Sequence, residues 1–139
     1  MSDLQSQVLA AFQSMLGRGE WTIDRTTEAA VFDNAAVTLR HDNLLCRIVR
    51  ERGLLSAQFA SATHSDMWFD GTIVAELIEG APEDSFMDMT GALILDRFAR
   101  FVNAYTADLA RLFAVENYDA TCRELERLER ESVRRRFGV

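Results

Sequence analysis

The chain has 139 residues, 48% apolar and 27% charged, enough to bury one hydrophobic core without disulfides or metals and too apolar for a disordered segment. Its net charge of −7, from fifteen arginines, no lysine and twenty-two Asp and Glu, opposes binding to nucleic acid or anionic membrane, both of which need cationic surface. The longest apolar runs, "GALIL" and "TIVA", fall far short of the roughly 18 to 20 residues of a membrane span, and the polar Met1-Ser2-Asp3 start does not read as a secretory signal, so a cytoplasmic location is expected.

In chain order, "SDLQSQVLAAFQSMLG" opens with Ser2 and Gln5 at capping-box spacing and places Leu4, Val8, Leu9, Phe12, Met15 and Leu16 on one helical face, predicting a helix of about four turns that Gly17 ends. From Trp21 the residues turn β-branched and aromatic, with period-two alternation in Val37 and Leu39 and in Ile48 against Arg47. Turn clusters at Asp33-Asn34, His41-Asp42-Asn43 and Arg52-Gly53 are short, so successive strands should be antiparallel neighbours. The prediction is a meander of four strands over 20–26, 29–33, 35–41 and 44–61, the last a hairpin about Gly53, with one bent strand as the alternative for the first two.

Helical spacing returns with Trp68, Phe69, Ile73, Val74, Leu77 and Ile78, for which Asp66 or Asp70 is the N-cap and Gly80-Ala81-Pro82 the stop. Two longer helices are expected. One spans about 85–113 with Phe86, Leu93, Leu95, Phe98, Phe101, Val102, Tyr105, Leu109 and Leu112 as its stripe; the other spans about 118–136 with Cys122, Leu125, Leu128 and Val133 inside. The whole chain, 1–139, reads as a single α+β domain: an N-terminal helix, an antiparallel β-meander and three C-terminal helices.

No reaction is legible in these residues, and a non-enzymatic role is expected. His41 and His64 fall in a turn and a loop with no nucleophile elbow beside them, and the seven glycines form neither a phosphate-cradling nor a dinucleotide-binding motif. Cys46 and Cys122 lack a neighbouring Cys or His at metal-ligand spacing and are expected as reduced thiols rather than a bridge. The acidic residues do not follow a calcium-loop pattern, so neither a metal nor a cofactor is expected.

The charge is nevertheless uneven. Residues 65–96 hold eight carboxylates and no basic residue, whereas the last helix interleaves Glu and Arg and ends in Arg134, Arg135 and Arg136, which suit its negative C-terminal end. Glu76, Glu79 and Glu83 recur at spacings of three and four, and Asp84 and Asp88 continue the acid, clustering like charge without local neutralisation. Together with Asp66, Asp70 and the aromatic Trp68, these residues form a candidate surface for a basic protein partner.

Across residues 34–80, the strands of "LLCRIVRERGLLSAQFAS", the polar loop and "MWFD" leading into "TIVAELIEG" resemble small bacterial immunity proteins encoded beside polymorphic or contact-dependent toxins. That resemblance implies a cytoplasmic inhibitor that binds one cognate toxin domain and blocks its active site. Acidic chaperones of type III secretion effectors are similar in length and in their helix, curved sheet and later helices, and imply a dimer holding an effector segment in apolar grooves. The two long helices predicted after residue 84 depart from that second pattern.

Overall fold

The computed structural model describes residues 3–29, 34–80 and 91–138. Two short helices, α1 (Asp3–Ala11) and α2 (Gln13–Gly17), lead into five strands: β1 (Thr22–Ala29), β2 (Asn34–His41), β3 (Leu44–Glu51), β4 (Leu54–Ser61) and β5 (His64–Asp70). Three helices follow, α3 (Gly71–Glu79), α4 (Gly91–Leu112) and α5 (Tyr118–Phe137), the last two joined through a 3-10 turn at Val115–Asn117. The sheet order is β1-β2-β3-β4-β5 with every neighbouring pair antiparallel, so the meander expected from the short turns is present, with one strand more than predicted.

The turns explain the connectivity. Arg52 (φ 53°) and Gly53 (φ 83°) are both left-handed, the two-residue geometry whose twist matches that of the flanking strands, and Asp42 (φ 51°) opens the β2–β3 turn. Asn43 then ties that turn to the helical layer, its Nδ2 donating to Ser61 Oγ at 2.8 Å and to the Phe113 carbonyl at 2.9 Å.

Pairing carries one row of residues straight across all five strands: Ile23, Leu39, Cys46, Phe59 and Phe69. All but the partly covered Ile23 are buried, and this row forms the floor of the core. Leu4, Val8 and Phe12 from the N-terminal helices and Leu95, Phe98, Phe101, Val102 and Leu109 from α4 cover it, as the helical stripes require. Phe59 is central: its ring lies 5.6 Å from Phe98, 6.5 Å from Phe101 and 6.3 Å from Phe113. On α5, Leu125 and Leu128 are buried.

Several expectations are corrected. The first helix breaks at Phe12 (φ −100°, ψ 14°), which is buried, and the left-handed residue after it is Gly19 (φ 75°), not Gly17. Trp68 and Phe69 belong to β5, not to the next helix. Only Phe69 of that strand is buried, so the apolar alternation that marks a strand is missing, and Phe69 with Ile73 mimics helical spacing. Asp70 ends the strand and caps α3 without a loop, its Oδ1 accepting from Thr72 N at 2.8 Å. Val133 is exposed rather than inside, and α4 is kinked at Tyr105 (φ −117°, ψ 21°). The expected strand at 29–33, the Ser2 cap and the 85–90 start of the long helix lie wholly or largely outside the described residues.

Phe59→Ala should cost about 3–5 kcal/mol, because it empties the contact point of three other rings that cannot collapse together. A urea titration read by circular dichroism checks this; a midpoint unchanged from wild type would show that Phe59 is not the centre of the core.

Candidate functional site

The row next to the core floor faces the other side of the sheet. It reads Arg25, Thr38, Arg47, Gln58 and Asp70, again one residue per strand, because side chains alternate with a period of two. Register shifts between Ile23 and Arg25 on β1 and between Phe59 and Ser61 at β4–β5 mark bulges, which bend and twist the strands that carry them. The bulge at β1 brings the consecutive residues Asp24 and Arg25 to the same side, and with Thr38, Arg40, Arg47 and Trp68 they line a concavity of about 390 Å3.

Arg47 is held by both a side-chain amide and an aromatic ring. Its Nε donates to Gln58 Oε1 at 2.9 Å, a terminal nitrogen reaches the same oxygen, and the guanidinium lies 4.0 Å from the centre of the Trp68 ring. The stacking crosses β4, the strand that lies between β3 and β5. Burial lowers the Arg47 pKa from its ordinary value; the aromatic face and the Gln58 carbonyl offset part of the lost hydration. Arg40 donates from Nε to the Asp42 carbonyl at 2.9 Å, so its terminal nitrogens are left over, and neither Arg25 nor Arg40 has a carboxylate partner among the described residues.

The sequence-predicted acidic residues separate into different roles. Asp66 and Glu79 are exposed. Asp70 is exposed but engaged as the α3 cap, also accepting from Thr72 Oγ1 at 2.7 Å. Glu76 is not free of local neutralisation: its side chain is 10% exposed and pairs with Arg135 at 3.1 Å, 59 residues away. Glu83, Asp84 and Asp88 lie outside the described residues. Trp68 stands two residues from both Asp66 and Asp70 on β5 and stacks on Arg47 over the open sheet face.

Acids of α5 approach the end of β5, where α3 begins. Burial, then Asp70 and Glu126, hold the Glu129 carboxyl above the usual range, which places α5 acid against the start of α3. Burial, the Cys122 thiol and the carboxylates of Asp66 and Asp119 hold the Tyr118 phenol up. Glu79, accepting from Tyr105 Oη at 3.4 Å, likewise raises the Tyr105 phenol. Farther along α5, Arg127 bridges Glu124 and Glu131 at 2.9 and 2.8 Å, the i,i+3 and i,i+4 pairing of an exposed helix.

Both histidines pack against aromatic rings. His41 packs 5.3 Å from the Trp21 ring and contacts the Glu20 carbonyl through Nδ1 at 2.6 Å, while His64 stacks on Tyr118 at 4.3 Å. Both thiols are free, Cys46 buried and Cys122 partly covered. Among the described residues no group of three or more His, Cys, Asp and Glu is placed to hold a metal ion, and no helix is long and apolar enough to cross a membrane. No family model, curated protein or solved structure matches the chain.

The cationic face was missed from sequence. Alternation puts Arg40 and Arg47 opposite the buried Leu39 and Cys46, which is a usable signal, but the alignment of Arg25 with them depends on a one-residue bulge.

A double-mutant cycle of Glu76→Gln and Arg135→Ala should give a coupling of about 0.5–1 kcal/mol that shrinks in 1 M NaCl, since one partner is half exposed. No coupling at low salt would mean the pair does not fasten α5 to α3. Burial raises the Cys46 thiol pKa, so a Cys122→Ser variant should be inert to a thiol-specific reagent at pH 8 until urea unfolds it; rapid labelling of the folded variant would contradict the buried position of Cys46.

Proposed function

We propose that this chain is a non-enzymatic binding protein of the immunity type, a cytoplasmic inhibitor that neutralises a cognate basic toxin domain through the acidic surface where β5, α3 and α5 meet. The observation that supports this most is the approach of Asp70, where β5 turns into α3, to Glu126 and Glu129 of the last helix, close enough that burial and then like charge hold the Glu129 carboxyl up. Bringing carboxylates together raises the free energy of the unbound protein, and a cationic surface relieves it on docking while speeding encounter. A toxin that grips nucleic acid carries such a surface. Glu83, Asp84 and Asp88 extend the acidic group in sequence; Glu76, tied to Arg135, contributes to the scaffold rather than to the contact.

The chaperone reading is less well supported. The largest exposed apolar side chains, Leu54, Met67, Val115, Val133 and Phe137, fall on four different elements, and the open concavity of the sheet is lined by arginines. Long helices α4 and α5 also stand where that pattern would have further strands.

The wild-type protein, immobilised in native-cell lysate at 50 mM salt, should retain a basic domain and abolish that domain's catalytic activity after co-purification. The variant Asp66→Asn, Glu79→Gln, Glu83→Gln, Asp84→Asn, Asp88→Asn should bind it at least tenfold more weakly. Equal retention by both proteins would remove the acidic surface from the interface, and a retained partner with undiminished activity would end the inhibitor reading.

A further inference from the structure

We propose that the open face of the sheet is a second binding surface, of opposite sign, which receives an extended acidic segment of a protein partner. Three guanidiniums, Arg25, Arg40 and Arg47, line one concavity in which, among the described residues, Asp24 alone supplies a carboxylate. In a protein of net charge −7 such a local excess of cation is not a by-product of composition. None of the three is paired with a carboxylate among the described residues: Arg47 is held by Gln58 and Trp68, and Arg40 bonds a backbone carbonyl.

The spacing selects the occupant. Arg25 and Arg47 both pair with Thr38 and so stand two strand spacings apart, roughly 10 Å between backbones, whereas Arg40 lies two residues along β2, roughly 7 Å from Thr38. A single phosphate or carboxylate is too small to span that separation. Arg40 therefore stands roughly 8 Å from both Arg25 and Arg47, and carboxylates at positions i and i+2 of an extended peptide, roughly 7 Å apart, fall within reach of the Arg40 side chain and one of the other two. Guanidinium forks recognise carboxylates in bidentate fashion, and Trp68 offers an aromatic wall beside them. This surface does not depend on the toxin reading, because it uses none of the residues of the acidic surface.

Trp68 supplies the measurement, since the other tryptophan, Trp21, is buried. The full chain would be titrated at 50 mM salt with a capped hexapeptide of alternating Glu and Ser, following tryptophan fluorescence. A saturable change is expected that disappears in Trp68→Phe, weakens at least tenfold in Arg25→Glu, Arg40→Glu, and weakens several-fold at 300 mM salt; circular dichroism verifies that both variants remain folded. A matching Lys/Ser peptide should give no saturation. Absence of saturation with the acidic peptide, or unchanged affinity in the arginine variant, would overturn the proposal. Glutarate or phosphate binding as tightly as the peptide would replace it with a small-anion site. A concentration-dependent dimer dispersed by Arg25→Glu, Arg40→Glu would replace the peptide with a second copy of the chain.

Discussion

Everything that is positioned in this protein depends on the burial of Phe59 at the centre of one sheet face. Its row neighbours Cys46 and Phe69 are fixed by hydrogen-bonded register, and its ring neighbours Phe98, Phe101 and Phe113 come from the helical side, so the strand order and the helix placement meet at one side chain. A slip of one residue in any strand would turn its buried set toward water. The same rule works in reverse on the far face: fixing the apolar row also fixes which polar residues align behind it. Arg25, Thr38, Arg47, Gln58 and Asp70 are in line because Ile23, Leu39, Cys46, Phe59 and Phe69 are.

The resulting molecule separates its charge. Carboxylates gather where the last strand turns into α3 and meets α5, whereas the guanidiniums of Arg25, Arg40 and Arg47 occupy the open concave side of the sheet. The two surfaces are stabilised in different ways. Arg47 has its cost of burial offset by a ring and an amide, and among the described residues the acidic segment gains an ion pair where Arg135 reaches Glu76. Exposed like charges elsewhere remain at full repulsion, which suits a surface completed by another molecule.

The distinction between apolar and polar concavities bears directly on function. A holder of unfolded segments needs continuous apolar surface to replace the partner's missing core, whereas an inhibitor of a folded domain works through charge complementarity and a few anchors. Here the concavity is rich in arginine, and the exposed apolar side chains are scattered over β4, β5, the 3-10 turn and α5. That contrast is what sets the proposed charge-based recognition apart from the holding of an unfolded apolar segment.

The sequence by itself determined the class of fold: an amphipathic N-terminal helix, antiparallel strands joined at Asp42-Asn43 and Arg52-Gly53, and helices with the Leu95-to-Leu109 and Leu125-to-Leu128 stripes, because periodicity and turn chemistry are local properties. It also located the acid at Asp66, Asp70 and Glu79. Tertiary structure alone decided the rest. β5 is an edge strand with a single buried residue and carries no pattern of its own; it exists because β4 offers it hydrogen bonds. Glu76 meets Arg135, and Arg47 meets Trp68, across separations that helical or strand spacing does not encode. The alignment of Arg25 with Arg47 required a bulge that shifts register by one residue, a consequence of how two strands pair rather than of what either strand contains.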